Sequence, residues 1–220
     1  KSLMFKSHKD FSQKFNVSHE TYEKLLIYYE LLCKWQERMN LVSRKSLSDA
    51  FSRHFLDSAQ LHKFCCKTEG NILDFGTGAG FPGLVLAIMG LKKIHLIDSN
   101  NKKCFFLKEI LNKTDTKAFV HNSRIENLPY IKPSFIISRA LAPTKKLLTL
   151  CMDYMTKENK AHCRLKAEEI LPNLLFLKGK SYKKELKEVS DKIRIKFEIY
   201  DSITDLEGKV LFFRSKKTYQ

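Results

Sequence analysis

The chain has no long hydrophobic run. Its longest strongly apolar stretch, 84–89, is bounded by Gly83 and Gly90 and falls far short of the ~20 residues that span a bilayer. A secretory signal core is missing too. The start, Lys1-Ser2-Leu3-Met4, is not apolar and has no leading methionine, so a few residues are expected to be missing ahead of it. The six cysteines (Cys33, Cys65, Cys66, Cys104, Cys151 and Cys163) show no Cys-x-x-Cys spacing. That argues against a zinc site or a disulfide framework, and for free thiols in a reducing cytosol. Internal repeats and low-complexity linkers are absent as well. Acidic residues are in short supply, with 24 Asp and Glu against 40 Lys and Arg, for a net charge of +16. Such a chain attracts polyanions, nucleic acid first and an anionic membrane surface second. A lysine-rich proteome is the bland alternative. At 220 residues and 43% apolar content, the chain is globular, with room for one sizeable core plus an appendage.

The first seventy residues read as helical. Ser18 is placed to cap a helix on which Tyr22, Leu25, Leu26, Tyr29, Leu32 and Cys33 recur at helical spacing. Ser46 and Asp49 fit a capping box ahead of a second helix carrying Phe51, Phe55, Leu56 and Ala59. On that helix Arg53, His54 and Asp57 are expected to form a solvated face, or a cap to the next domain. From Asn71 the rhythm changes. Short strands are predicted at 72–75, 94–98, 117–121, 135–138 and 174–177, with helices at 82–89, 101–112, 143–154 and 182–191. This alternation predicts an α/β fold with a doubly wound, Rossmann-like parallel sheet. The runs 193–200 and 209–214 have no helix between them and should close the sheet as an antiparallel hairpin. The expected division is a helical N-terminal extension, 1–69, packed on a domain at 70–220. The basic stretch 157–166 reads as a loop.

The segment Asp74-Phe75-Gly76-Thr77-Gly78-Ala79-Gly80-Phe81-Pro82-Gly83 carries the most chemistry. An acidic residue at a strand end, then glycine at alternate positions, lets bare backbone approach a bound cofactor. Gly78-x-Gly80-x-x-Gly83, with Asp98 about 20 residues on, satisfies the dinucleotide fingerprint. A nicotinamide oxidoreductase is therefore one reading. Against it, Asp74 would repel a pyrophosphate at short range. S-adenosylmethionine instead presents an ammonium and a sulfonium, and Gly76 and Gly78 would meet its methionine end. Asp98 can accept hydrogen bonds from both ribose hydroxyls; the competing reading is a helix N-cap. The paired carboxylates, the glycine register and the hairpin ending favour the methyl donor.

Other strand ends speak to the acceptor. Ser123-Arg124-Ile125-Glu126 follows the third strand, and Ile125 is suited to cover an adenine face. Ser138-Arg139-Ala140 ends the fourth strand. Arg124 and Arg139 would bring fixed positive charge to the pocket mouth, to grip a phosphate or stack on a base. Lys178-Gly179-Lys180 and the following Lys183, Lys184 and Lys187 would add phosphate contacts. An Asn/Asp-Pro-Pro-aromatic motif, the mark of exocyclic amine methylation, is absent at 138–140, and no cysteine nucleophile is evident. A ring nitrogen with a free lone pair needs neither.

These residues, together with Asn40-Leu41-Val42-Ser43, Arg53-His54-Phe55-Leu56-Asp57-Ser58, Leu96-Ile97-Asp98-Ser99 and Leu177-Lys178-Gly179, resemble the RsmG (GidB) family of bacterial 16S ribosomal RNA guanine-N7 methyltransferases. The resemblance runs from about residue 25 to the C-terminus. It implies methyl transfer from S-adenosylmethionine to a guanine in the 530 loop of small-subunit RNA. It also implies a cofactor pocket at Gly76, Phe81, Asp98, Ile125, Glu126 and Arg139, and activity or RNA handling by Arg124, Arg139 and Lys178. The expected partner is 16S RNA or the small subunit; a cytoplasmic monomer with no metal and no membrane contact is also expected. Arg53–Ser58 has no chemical role on this basis beyond docking the N-terminal helices beside the glycine loop. The stretch 157–172 departs from the family in lacking its Gly-Gly turn. A non-catalytic RNA-binding assembly factor is the remaining alternative.

Overall fold

The computed structural model describes residues 11–12, 15–43, 49–157, 166–189 and 195–216. Helix α1 (His19–Gln36) starts where Ser18 Oγ accepts from the Thr21 N–H at 3.1 Å, as its sequence predicts. Its buried stripe is Tyr22, Leu25, Tyr28 and Leu32. Tyr28 thus takes an inward place that the sequence reading gave to its neighbour Tyr29. The expected second helix is instead a π-helical turn, Phe51–Leu56, running into the short α-turn Asp57–Ala59. Ser46, the proposed cap, lies outside the described residues.

From Asn71 the chain builds β1 (Asn71–Phe75), α2 (Gly83–Ile88), β2 (Ile94–Asp98), α3 (Asn101–Lys113), β3 (Phe119–Asn122), β4 (Pro133–Arg139), α4 (Thr144–Thr156), β5 (Asn173–Lys178), α5 (Tyr182–Lys187), β6 (Glu198–Asp201) and β7 (Lys209–Phe213). The strands lie in the order β3-β2-β1-β4-β5-β7-β6. The first five run parallel, and β7 pairs antiparallel with both β5 and β6. The doubly wound sheet and its closing hairpin are therefore as predicted. The first strand of that hairpin starts later than expected, because 195–197 are irregular and 190–194 lie outside the described residues. So does most of the basic stretch 157–166.

Alternate residues of the central strands feed two apolar layers. Ile72, Ile137 and Leu175 face α1, α2 and the π-turn, whereas Leu73, Ile136 and Leu174 face α4. Helix α1 packs on α2 and α3, so the helical N-terminal segment shares a core with the sheet. Among the described residues no helix is long and apolar enough to cross a membrane. Because β1 lies between β2 and β4, crossovers depart from it in opposite directions. The crevice this leaves beyond the strand carboxyl ends is where open α/β sheets take ligands.

One polar brace holds that end of the sheet. Pro143 precedes α4 and offers no side-chain cap. Glu185 of α5 supplies it, accepting from Thr144 N at 2.9 Å and Thr144 Oγ1 at 2.8 Å. The same carboxylate pairs with Lys178 Nζ at 2.9 Å and accepts from Ser181 Oγ at 2.7 Å. Lys178 also donates to the Ala142 carbonyl at 2.6 Å, so the loop after β4 is tied to the end of β5. Burial alone would raise the Glu185 pKa; the bonds from Lys178, Ser181 and Thr144 outweigh it and bring it down to about 2. With a folded value below the ordinary 4.5, the carboxylate stabilises the fold fully above pH 4.5 and loses that contribution as pH falls toward 2. Glu185→Gln should lower the urea midpoint at neutral pH, and the gap from wild type should close through that acidic window.

Candidate active site

The glycine loop is built around a buried carboxylate. Asp74, at the penultimate position of β1, is fully enclosed, and its Oδ2 accepts from Gly83 N at 2.8 Å. A Cβ at Gly83 would lie 2.7 Å from that oxygen, so the chain passes over the carboxylate only as bare backbone. Gly76, at φ +69°, is crowded from above by Leu141, to which a Cβ would approach within 2.5 Å. Burial lifts the Asp74 pKa to about 7 against the pull of the Thr77 hydroxyl and the Gly83 amide. The Thr77 side chain is buried beside it under the same loop.

Asp98 holds the outer turn of the same loop. Its Oδ2 accepts from Gly78 N at 3.0 Å, and its Oδ1 accepts from Asn100 N at 2.8 Å. The N-cap of α3 is Asn100, which accepts from Lys103 N at 3.1 Å. Asp98 is thereby released from the capping role that competed for it. Beyond the ends of β1, β2 and β4 opens a cleft of about 230 Å³, lined by Gly76, Asp98, Arg124, Ile125, Glu126 and Leu141 among others. Lys157 secures its far wall by donating to the Ile125 and Leu128 carbonyls at 3.0 and 2.8 Å. The residue types fit S-adenosylmethionine: a carboxylate with unused lone pairs, an apolar cover and glycine backbone line the one cleft.

On the other side of the loop, Phe81 is 3% exposed and does not line this cleft. Tyr28 stacks on it at 5.3 Å, and the Tyr28 hydroxyl donates to the Ala79 carbonyl. His54 stacks on Phe81 at 5.0 Å, and the Arg139 guanidinium lies 5.0 Å from the ring centroid. Arg139 Nη1 donates to the Arg53 carbonyl at 3.1 Å and stands 3.6 Å from Asp57 Oδ2. Asp57 Oδ1 in turn accepts from Gln60 Nε2 at 2.8 Å and from the Thr204 and Ser202 hydroxyls at 3.0 and 3.3 Å. Burial, then Arg139 and Arg53, push the His54 imidazole down to about 3, so the ring is neutral. The solvated face expected for Arg53, His54 and Asp57 is therefore corrected: of the three, only Arg53 is exposed. The π-turn closes against Arg139 and Phe81.

A second, larger cleft of about 910 Å³ lies beside this cluster, with Arg53, His54, Asp57, Arg139, Lys178 and Leu206 in its wall. The sequence-named residues thus separate. Gly76, Asp98, Arg124, Ile125 and Glu126 share the first cleft, and Arg139 and Lys178 share the second. Asp74 and Phe81 brace the loop from within, and Gly78 is held by Asp98. Arg124 and Arg139 do not converge, and the Lys178 ammonium is occupied by Glu185, while Lys180, Lys183, Lys184 and Lys187 stand exposed. Sequence reasoning passed over Tyr28, Gln60, Lys157, Glu185, Ser202 and Thr204. Each acts across long separations, and no local pattern announces it.

A family model described as rRNA small subunit methyltransferase G (GidB) matches residues 21–211. The ribosomal RNA small subunit methyltransferase G of Paramagnetospirillum magneticum is 38% identical over 201 residues, 91% of this chain and 92% of that protein. Its namesake from Rickettsia prowazekii is 33% identical over 195 residues, 89% of this chain and 94% of its own. Among solved structures, magnesium protoporphyrin IX methyltransferase from Synechocystis aligns with a TM-score of 0.57 at 13% identity, over 90% of this chain and 98% of that one. The ribosomal protein L11 methylase of Lactobacillus delbrueckii aligns with a TM-score of 0.54 at 14% identity, over 73% and 77%. Both likenesses concern the fold alone; it is the family match over residues 21–211 before which the nicotinamide reading of the 78–83 glycines gives way. On these matches the chain belongs to the rRNA small subunit methyltransferase G family.

Proposed function

We propose that this protein transfers the methyl group of S-adenosylmethionine to N7 of a guanine in the 530 loop of 16S ribosomal RNA. The observation that supports the reading is the presence of two clefts beyond the carboxyl ends of the parallel strands. One is lined by Asp98 and Ile125, which would meet an adenosine, and the other by Arg139, which would meet an acceptor base. When bound, S-adenosylmethionine supplies an electrophilic methyl group on a sulfonium. Asp98 would take its ribose hydroxyls, Ile125 and the Glu126 backbone would hold its adenine, and Gly76 and Gly78 would admit its methionine end. Asp74 and Phe81 would serve the cofactor by fixing the loop.

Arg139 would face the acceptor from the second cleft, its plane set by Phe81 and its direction by Asp57 and the Arg53 carbonyl. Arg124, exposed on the rim of the first cleft, would meet RNA. Lys178 would act through Ala142 and the loop after β4. Guanine N7 carries a lone pair and loses no proton on methylation, so no general base is needed. Neither cleft is lined by a cysteine among the described residues, which supports a ring nitrogen over a pyrimidine carbon. Catalysis would rest on alignment and exclusion of water. We read residues 1–69 as an extension of a methyltransferase domain at 70–220, acting as a monomer in the cytoplasm.

Asp98→Ala should weaken S-adenosylmethionine binding by roughly tenfold to a hundredfold in calorimetry, the range for losing hydrogen bonds to a charged acceptor. In the decisive assay, tritiated methyl transfer is followed on naked 16S RNA and on small-subunit particles from a strain lacking the enzyme. The label should map to N7 of a guanine in the 530 loop, and label at any other base would overturn the assignment. Arg139→Lys should cut the rate while leaving cofactor affinity unchanged, since an ammonium cannot replace a stacked planar fork.

A further inference from the structure

The first cleft is small for its ligand. Its volume of about 230 Å³ lies below the roughly 300–1,000 Å³ of pockets that hold ligands of drug size. One apolar side chain stands in it. Leu141 lines the cleft together with Gly76 and lies directly against that glycine. A Cβ on Gly76 would come within 2.5 Å of Leu141 Cδ1, 3.1 Å of its Cγ and 3.2 Å of its Cβ. The leucine thus covers one of the two glycines whose bare backbone would admit the methionine end of S-adenosylmethionine. Gly76 is closed to a ligand from that side while Leu141 rests on it.

The backbone around Leu141 is fixed at its flanks and free in its middle. Arg139, at the end of β4, is pinned by the Arg53 carbonyl and Asp57. On the other flank Lys178 holds the Ala142 carbonyl, and Glu185 holds Thr144. Leu141 itself neither donates nor accepts a backbone hydrogen bond among the described residues, and it is 37% exposed. Ala140 before it stands at φ +53°, in the left-handed region that a residue with a Cβ enters only with strain. An Asn or Asp would ease that conformation with a local hydrogen bond, and an alanine has none to offer. A strained residue next to an unbonded one, between two anchored ends, is the construction of a switch segment.

We propose that Leu141 is a gate on the methionine end of the cofactor site, swung about Ala140, a proposal that rests on the reading that Gly76 admits that end. With the gate closed, Leu141 lies on Gly76 and Ala140 is left-handed. With the gate open, Ala140 returns to negative φ and Gly76 is bare for S-adenosylmethionine. The closed form then competes with the ligand, so the leucine lowers affinity where an ordinary wall residue would raise it.

The test is isothermal titration calorimetry of the full chain with S-adenosylmethionine and with methylthioadenosine, which carries the same nucleoside but no methionine end. A site whose open form is populated at about 10% or less binds about tenfold or more weakly than one that stands open. Leu141→Ala should therefore bind S-adenosylmethionine about tenfold more tightly than wild type, and methylthioadenosine with unchanged affinity. Ala140→Gly should bind S-adenosylmethionine about fivefold more weakly, because glycine takes the left-handed conformation without strain and so favours the closed gate. Both variants should melt close to wild type, since the altered residues are exposed.

S-adenosylmethionine affinity that falls or stays level in Leu141→Ala overturns the gate, because the leucine is then part of the wall. An equal gain for methylthioadenosine overturns it as well, since Leu141 would then shape the whole cleft. Unchanged or tighter binding by Ala140→Gly removes the hinge and does the same. In all three cases wild-type protein still binds S-adenosylmethionine, and the assignment of the cleft survives. Wild-type protein that binds neither compound would sink that assignment and the gate with it.

Discussion

The hydrogen bond from Gly83 N to the enclosed Asp74 carboxylate is the constraint on which the site depends. A carboxylate taken wholly out of water must be partnered or protonated, and here a backbone amide across the loop is that partner. The bond fixes where the chain leaves β1 and where α2 begins. Between these points the loop must arch, which brings Gly78 N within reach of Asp98 and presses Gly76 beneath Leu141. Leaving the Gly83 donor buried and unsatisfied would cost about 1–3 kcal/mol, comparable to a large part of the margin that holds a domain together. The shape of the first cleft therefore follows from one acidic side chain below it.

The N-terminal segment is built into the site through the other face of the same loop. Phe81 is gripped between Tyr28 of α1 and His54 of the π-turn, and such aromatic pairs contribute about 0.5–1.5 kcal/mol each beyond their burial. The Arg139–Asp57 approach of 3.6 Å is loose for an ion pair. The Arg53 carbonyl and the Phe81 ring do more to set the guanidinium plane. Asp57 has a wider reach, since the hydroxyls of Ser202 and Thr204 converge on its Oδ1. The loop between β6 and β7 is thereby joined to the π-turn and, through it, to Arg139. The Arg-His-x-Leu-Asp-Ser segment, for which the sequence offered no chemistry, works as the joint between three parts of the chain.

The strands and the closing hairpin were legible in the sequence because short apolar runs between turn signals leave few alternatives. Ser18 was legible as a cap because the pattern is local. The π-turn was not, since Phe51 and Phe55 fit an α-helix equally well until Phe81 and Arg139 are in place. Lys178 looked like a rim cation because its partner Glu185 sits on the next helix, where a glutamate among lysines reads as a solvated face. Tyr28 and Tyr29 are adjacent on the helix, and only the position of the glycine loop decides which of them turns inward. Residues that act within a turn of themselves were readable; residues that act across the fold were not.

This difference bears on where binding energy for a polyanion arises. At the carboxyl end of the parallel strands two of the expected cations are drawn inward, Arg139 by Asp57 and Arg53, and Lys178 by Glu185. Their charge is largely met within the protein and adds little to long-range attraction. Attraction must come from exposed lysines elsewhere, such as Lys180, Lys183, Lys184 and Lys187 on the rim and Lys92, Lys93, Lys108 and Lys117 farther off. Salt should therefore act mainly on capture of the RNA, whereas the aligned, partly buried groups of the clefts act at short range and are screened far less. Separating capture from alignment allows a strongly basic surface to coexist with a site whose own cations are internally neutralised.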